Sequence, residues 1–304
     1  MARAAWGELR AFWRGHASFR PYVVRMILGF AGGMTGISIT TVTLTQMDKV
    51  VLSKMLSLES FGYYVVASTL ASGLYIFISP MFAVLFPRFA EMVARDDKSG
   101  LLRLYHLTCQ LMSAIILPVT ATLVVFAPEI LLLWTGSTTI SMRSHVILSF
   151  LVIGNAINGL MNVQYAMQLA HGWTKLPLYT NIIAVCICLP AICILTSTLG
   201  AVGAALVWML FMVASTISSL FLTHRRFGLG KVRRWYILDV GCPALAVFAV
   251  LGTAKIALPP LSRGIGEALL FVALTVLAGI AAVAATPLVR KPVMRVIWRV
   301  GSVA

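Results

Sequence analysis

Long apolar runs alternate along the chain with short stretches that hold nearly all of its charges. No Asp, Glu, Lys or Arg occurs between Arg25 and Asp48, between Glu59 and Arg88, or between Arg103 and Glu129. The stretch from Arg143 to Lys175 is equally clean, with His145 and His171 near its ends. Lys175 to Arg225 is too long for one crossing, and TSTLG at 196–200 divides it. Asp239 and Lys255 bracket a shorter run that reaches full length if both side chains snorkel. Glu267 to Arg290 frames the last. About 20 apolar residues of helix cross a bilayer core of about 30 Å. The pattern therefore predicts eight membrane-spanning helices, at 26–47, 63–87, 105–127, 146–168, 178–197, 202–223, 237–257 and 267–289.

The basic residues orient these spans. A cytoplasmic N-terminus places 19 of the 24 Lys and Arg residues on the cytoplasmic side and leaves Lys49, Lys54, Arg143, Lys255 and Arg263 outside. That asymmetry is what the positive-inside rule requires, and it sets both termini inside. Six tryptophans, Trp6, Trp13, Trp134, Trp173, Trp235 and Trp298, fall near the expected interfaces.

Composition narrows the class further. The 304 residues are 60% hydrophobic and 11% charged, against about 25% charged in soluble domains. Unbroken apolar runs exclude the alternation of a β-barrel. The fold class is thus an all-α, polytopic helical membrane protein, N-in and C-in. The net charge of +15 does not point to nucleic acid, because the bases punctuate the spans instead of forming one surface. Three segments are expected: a basic amphipathic N-terminus at 1–25, a six-span bundle at 26–230, and two further spans with a basic tail at 231–304. The N-terminal segment lacks the apolar core of a cleavable signal and reads as a helix lying on the membrane surface. The five cysteines read as small buried hydrophobes, and His106, His145 and His171 as helix-end anchors.

Polar residues inside the spans are the candidate chemistry. Ser38, Thr41, Thr45 and Asp48 recur at steps of 3, 4 and 3, which at about 100° per residue keeps them within a narrow arc. Such a stripe faces water or other helices, or its hydroxyls bond back to their own backbone with Asp48 at the outer interface. Asn155, Asn158 and Asn162 make a carboxamide stripe, with Gly154 and Gly159 permitting close helix approach. Carboxamides both donate and accept, so they suit sugar hydroxyls as well as helix–helix contacts. Pro80, Pro118 and Pro190 should kink or break their spans. No phosphate-cradling glycine loop, HExxH or nucleophile elbow occurs. No enzyme activity, cofactor or metal is expected.

TQMDKVVLSKMLSLESFGYYVVASTLASGLYIFISPMFAVLFPRFAEM resembles a stretch of bacterial polysaccharide flippases, in the multidrug and oligosaccharidyl-lipid/polysaccharide exporter superfamily. The matching elements are a polar pair (Asp48, Lys49), a leucine-rich link, a Gly-Tyr-Tyr start (Gly62, Tyr63, Tyr64) and a Pro-Arg exit (Pro87, Arg88). FAPEILLLWTG at 126–136 and GNAINGLMNVQYAMQLAHGWTKLPLYTN at 154–181 extend the resemblance, which spans residues from about 20 to 230. It implies the second of two helical bundles around a cavity, with the first bundle missing. The chain would then be a truncated product, a product with a misassigned start, or a half that pairs with a second subunit. The implied function is to flip an undecaprenyl-diphosphate-linked oligosaccharide across the bacterial inner membrane. Lys49, and then Arg88 at the cytoplasmic mouth, would meet the diphosphate, and Asp48 would hold Lys49 or carry a proton. A small-molecule antiporter of the same superfamily, a membrane enzyme of glycan assembly and a non-functional remnant are the alternatives. The expected partners are the lipid-linked oligosaccharide and membrane lipids.

Overall fold

The computed structural model describes residues 21–229, 232–257 and 265–290. The surface-helix reading of the N-terminus and the basic C-terminal tail lie outside these residues. Among the described residues every element is helical, and eight helices are long and apolar enough to cross a membrane.

We label the elements α1 (Pro21–Met55), α2 (Leu58–Ser72), α3 (Tyr75–Ala94), α4 (Lys98–Val125), α5 (Ala127–Thr135), α6 (Thr138–Ala170), α7 (Lys175–Leu199), α8 (Ala201–Phe227), α9 (Val232–Ala257) and α10 (Ile265–Ala285). Three helix starts carry side-chain caps that satisfy otherwise orphaned amides: Ser57 accepts from the Ser60 amide, Asp97 from Gly100 and Ser137 from Ile140. Gly136 and Gly228 end α5 and α8 in the left-handed conformation, which costs glycine little.

The core forms around α6, which packs on α2, α3, α4, α5 and α8. The long helix α1 leans on α7 and barely touches α2 and α8, so much of its surface faces outward. α9 and α10 pack on each other and dock together on α4. Contacts tie together residues expected on the same side of the membrane. On the outer side Glu129 pairs with Lys255, and Ser144 donates to the Tyr63 carbonyl at 3.2 Å. On the inner side His171 stacks on Phe227 at 4.0 Å, and the Arg226 guanidinium lies 4.3 Å over the Trp173 ring.

Several expectations need correction. The span expected at 63–87 is two helices, interrupted at Gly73–Leu74, whereas α3, α4 and α7 continue through Pro80, Pro118 and Pro190. Pro118 is buried among neighbouring helices, whereas Pro80 and Pro190 lie on exposed faces. α1 runs to Met55, so Asp48 and Lys49 sit within a helix and not at its end. His106 is no helix-end anchor, being buried inside α4. Asp239 does not snorkel: it is fully buried against the bundle, and Trp235, one turn before it, is buried as well. Of the cysteines, Cys109 and Cys188 are buried but Cys186 is exposed on α7.

α7 and α8 form a hairpin that supports α1. A Cβ on Gly203 would lie 2.2 Å from the backbone carbonyl oxygen of Leu195, a contact no side-chain adjustment relieves. Gly203→Val is therefore expected to cost at least about 1–3 kcal/mol, the usual cost of overpacking. It should lower both the thermal midpoint in detergent and the membrane level seen by immunoblot.

Candidate functional site

The hydroxyl stripe of α1 and the carboxamide stripe of α6 meet across two adjoining cavities. The larger, about 540 Å³, is lined by Ser38, Thr41 and Thr45 from α1, Asn158, Asn162 and Tyr165 from α6, Asn181 from α7, and Trp208 and Ser215 from α8, among others. The smaller, about 90 Å³, is lined by Thr45, Asp48 and Lys49, by Ser68 and Ser72 of α2, and by Asn155. Leu44, Thr45, Tyr75 and Trp208 border both. These walls offer hydroxyls, amides and aromatic rings with polar tips, a surface suited to neutral polar ligands.

Each stripe residue also bonds within the protein. Ser38 and Thr45 donate to the Met34 and Thr41 carbonyls at 3.0 Å, so the back-bonding reading and the cavity-lining position hold together. The Asn181 amide reaches Thr41 Oγ1 at 2.9 Å and Thr40 Oγ1 at 3.3 Å, tying α7 to α1. Asn155 is a three-helix fastener: it donates to the Ala71 carbonyl at 3.0 Å and accepts from Trp208 Nε1 at 3.0 Å. The missing side chain of Gly154 makes room for that indole, since a Cβ there would lie 2.5 Å from Trp208 Cδ1. Asn158 is held more loosely, by Tyr75 OH at 3.4 Å and Met212 Sδ at 3.7 Å, and Asn162 donates to the Asn158 carbonyl at 3.0 Å.

Asp48 carries the charge of the smaller cavity. Its Oδ2 accepts from the buried Tyr64 hydroxyl at 2.5 Å, while its Oδ1, also buried, has no hydrogen-bond donor and lies 3.9 Å from Lys49 Nζ. Lys49 donates to the Thr45 carbonyl at 3.2 Å and remains partly exposed. A buried carboxylate oxygen thus faces a partly exposed ammonium across a loose 3.9 Å contact.

Arg88 joins neither cavity. It is exposed on α3, where Glu91 lies 3.6 Å away. Tyr64, Trp208, Tyr165 and Asn181 are site residues that stripe-reading missed. Trp208 is the one tryptophan far from any expected interface, and a lone indole in mid-span was the available signal. The other three have no periodic signature.

Residues 5–144 match the model of a family described as polysaccharide biosynthesis protein. The match takes in Ser38, Thr41, Thr45, Asp48, Lys49 and Arg88, and ends before Asn155, Asn158 and Asn162. No curated protein matches the chain. Residues 5–144, somewhat under half of the chain, are thus similar to a polysaccharide biosynthesis family, and the eight helices of membrane length make the chain a multi-pass membrane protein.

Proposed function

We propose that the chain forms one wall of the path by which the polar head of a lipid-linked oligosaccharide crosses the bacterial inner membrane. The carrying observation is that two polar stripes, on helices far apart in sequence, line one cavity of about 540 Å³. A sugar cannot enter hydrocarbon without losing its hydrogen bonds, so its passage needs such a lining, opened to each side in turn. Hydroxyls and carboxamides replace water at the sugar hydroxyls, and Tyr75 and Trp208 offer flat apolar faces to the rings. The lipid tail stays in the bilayer. Lys49 meets the diphosphate from the outer part of the path, and Asp48 restrains it in the unloaded state. α1 is left largely uncovered beside this cavity, and a second bundle would complete the wall there. The role proposed is transport, for which the amides and hydroxyls of the larger cavity supply binding along the path.

Water access tests the reading directly. Single cysteines at Ser38, Thr41, Thr45 and Asn162, in a background with the five native cysteines replaced, should react with a membrane-impermeant maleimide added to both sides. Cysteines at Ile39 and Val50, on the outward face of α1, should not. Equal reactivity at all six positions, or none at the first four, would remove the cavity's claim to be a wet path.

A further inference from the structure

A second polar centre lies away from the cavities, where α9 docks on α4. Asp239 is fully buried, and its Oδ2 lies 2.5 Å from Nδ1 of the equally buried His106. Its Oδ1 accepts from Gln110 Nε2 at 2.9 Å. The orientation of Gln110 is fixed independently, because its Oε1 accepts from the Leu288 amide at 2.8 Å. Asp239 sits in a π-helical turn, Trp235–Gly241, inside α9. Trp235, Asp239, Pro243, Val247 and Leu251 are all buried, at steps of four. A four-residue repeat drifts around an α-helix of 3.6 residues per turn, and the wider turn offsets that drift so that Asp239 stays on the seam.

We propose that His106 and Asp239 form a proton-binding site within the membrane bundle. Holding one proton between them, as imidazolium with carboxylate or imidazole with carboxylic acid, the pair is neutral. Release breaks the N–H or O–H bond spanning the 2.5 Å contact, passes the proton to water on the basic side and leaves one net negative charge. A buried uncompensated charge is costly, so proton loss loosens α9 from α4. The groups that face the pair fit this account. From α4 come Tyr105, whose ring meets that of His106 edge-on at 5.2 Å, and the buried Cys109. Tyr105 in turn engages His224 of α8 at 2.9 Å and Gln164 of α6 at 3.1 Å. Arg103, Arg233, Arg234 and Arg290, at the same end of these helices, are exposed. Among the described residues His106 is the ion-pair partner of Asp239. The site does not depend on what passes through the cavities.

The test is a titration of the protein in lipid nanodiscs, with ¹⁵N-histidine spectra and infrared carboxyl bands followed from about pH 4 to pH 10, a range that brackets ordinary carboxyl and imidazole values. One histidine, assigned by its loss in His106→Gln, should change protonation together with a buried carboxyl band. In Asp239→Asn, which keeps an acceptor for Gln110, both changes should disappear and proton uptake should fall by about one per chain. If the paired signals stay constant across the range in the unmodified protein, or persist in Asp239→Asn, the assignment is wrong. The unmodified protein decides the question even if the variant fails to assemble.

Discussion

Thr41→Trp is expected to abolish glycan export while leaving the protein in the membrane at its normal level. Thr41 faces the larger cavity from α1, and an indole there would fill space that the head needs on the proposed path. The structural cost is small. The substitution removes the Asn181–Thr41 hydrogen bond, and such bonds between membrane helices average about 0.6 kcal/mol. A fall of at least about tenfold in surface polysaccharide, equivalent to about 1.4 kcal/mol on the limiting step, should be seen in a strain that depends on this protein. Ile39→Trp is the matched control. Two residues away along a helix is about 200° around it, and Ile39 is exposed on the outward face. That variant should export normally. Blocked export in both variants would mean that α1 tolerates no added bulk anywhere. Normal export in both would mean that the cavity is not on the path.

The spans were legible because membrane crossing imposes a length and a charge rule that act residue by residue. Charge-free runs separated by Arg and Lys could be read without any knowledge of tertiary contacts. The hydroxyl and carboxamide stripes were legible for a similar reason, since helical spacing puts Ser38, Thr41 and Thr45 on one arc before anything packs against them. That α1 and α6 would turn these arcs toward each other was not legible, because it depends on the order in which helices pack. Asp239 shows the limit most clearly. A lone acid before an apolar run looks like an interfacial residue, and only the His106 and Gln110 side chains of a helix more than 120 residues away make its burial affordable. The break at Gly73 was hidden as well, since Pro80 in the same span, like Pro118 and Pro190 in two others, looked like a stronger interruption than a glycine.

Asp48 separates a structural role from a transport role through two substitutions. Asp48→Leu removes the acceptor of the Tyr64 hydroxyl, which is fully buried and has no water to turn to. An orphaned group of this kind costs about 1–3 kcal/mol, so the thermal midpoint and the membrane level should both fall. Asp48→Asn keeps an oxygen for Tyr64 but removes the negative charge 3.9 Å from Lys49. Its abundance should stay normal while export falls several-fold, because the ammonium is no longer restrained between loads. Lys49→Ala should give a comparable loss of export, through the missing cation. If the two charges act as one unit, the double variant Asp48→Asn/Lys49→Ala will export no worse than the poorer single variant, since neighbouring groups with a shared task are non-additive. Additive losses would make them independent contributors. Normal export in both single variants, at normal abundance, would leave Asp48 with the Tyr64 contact as its whole purpose and would take the charged pair out of the transport path.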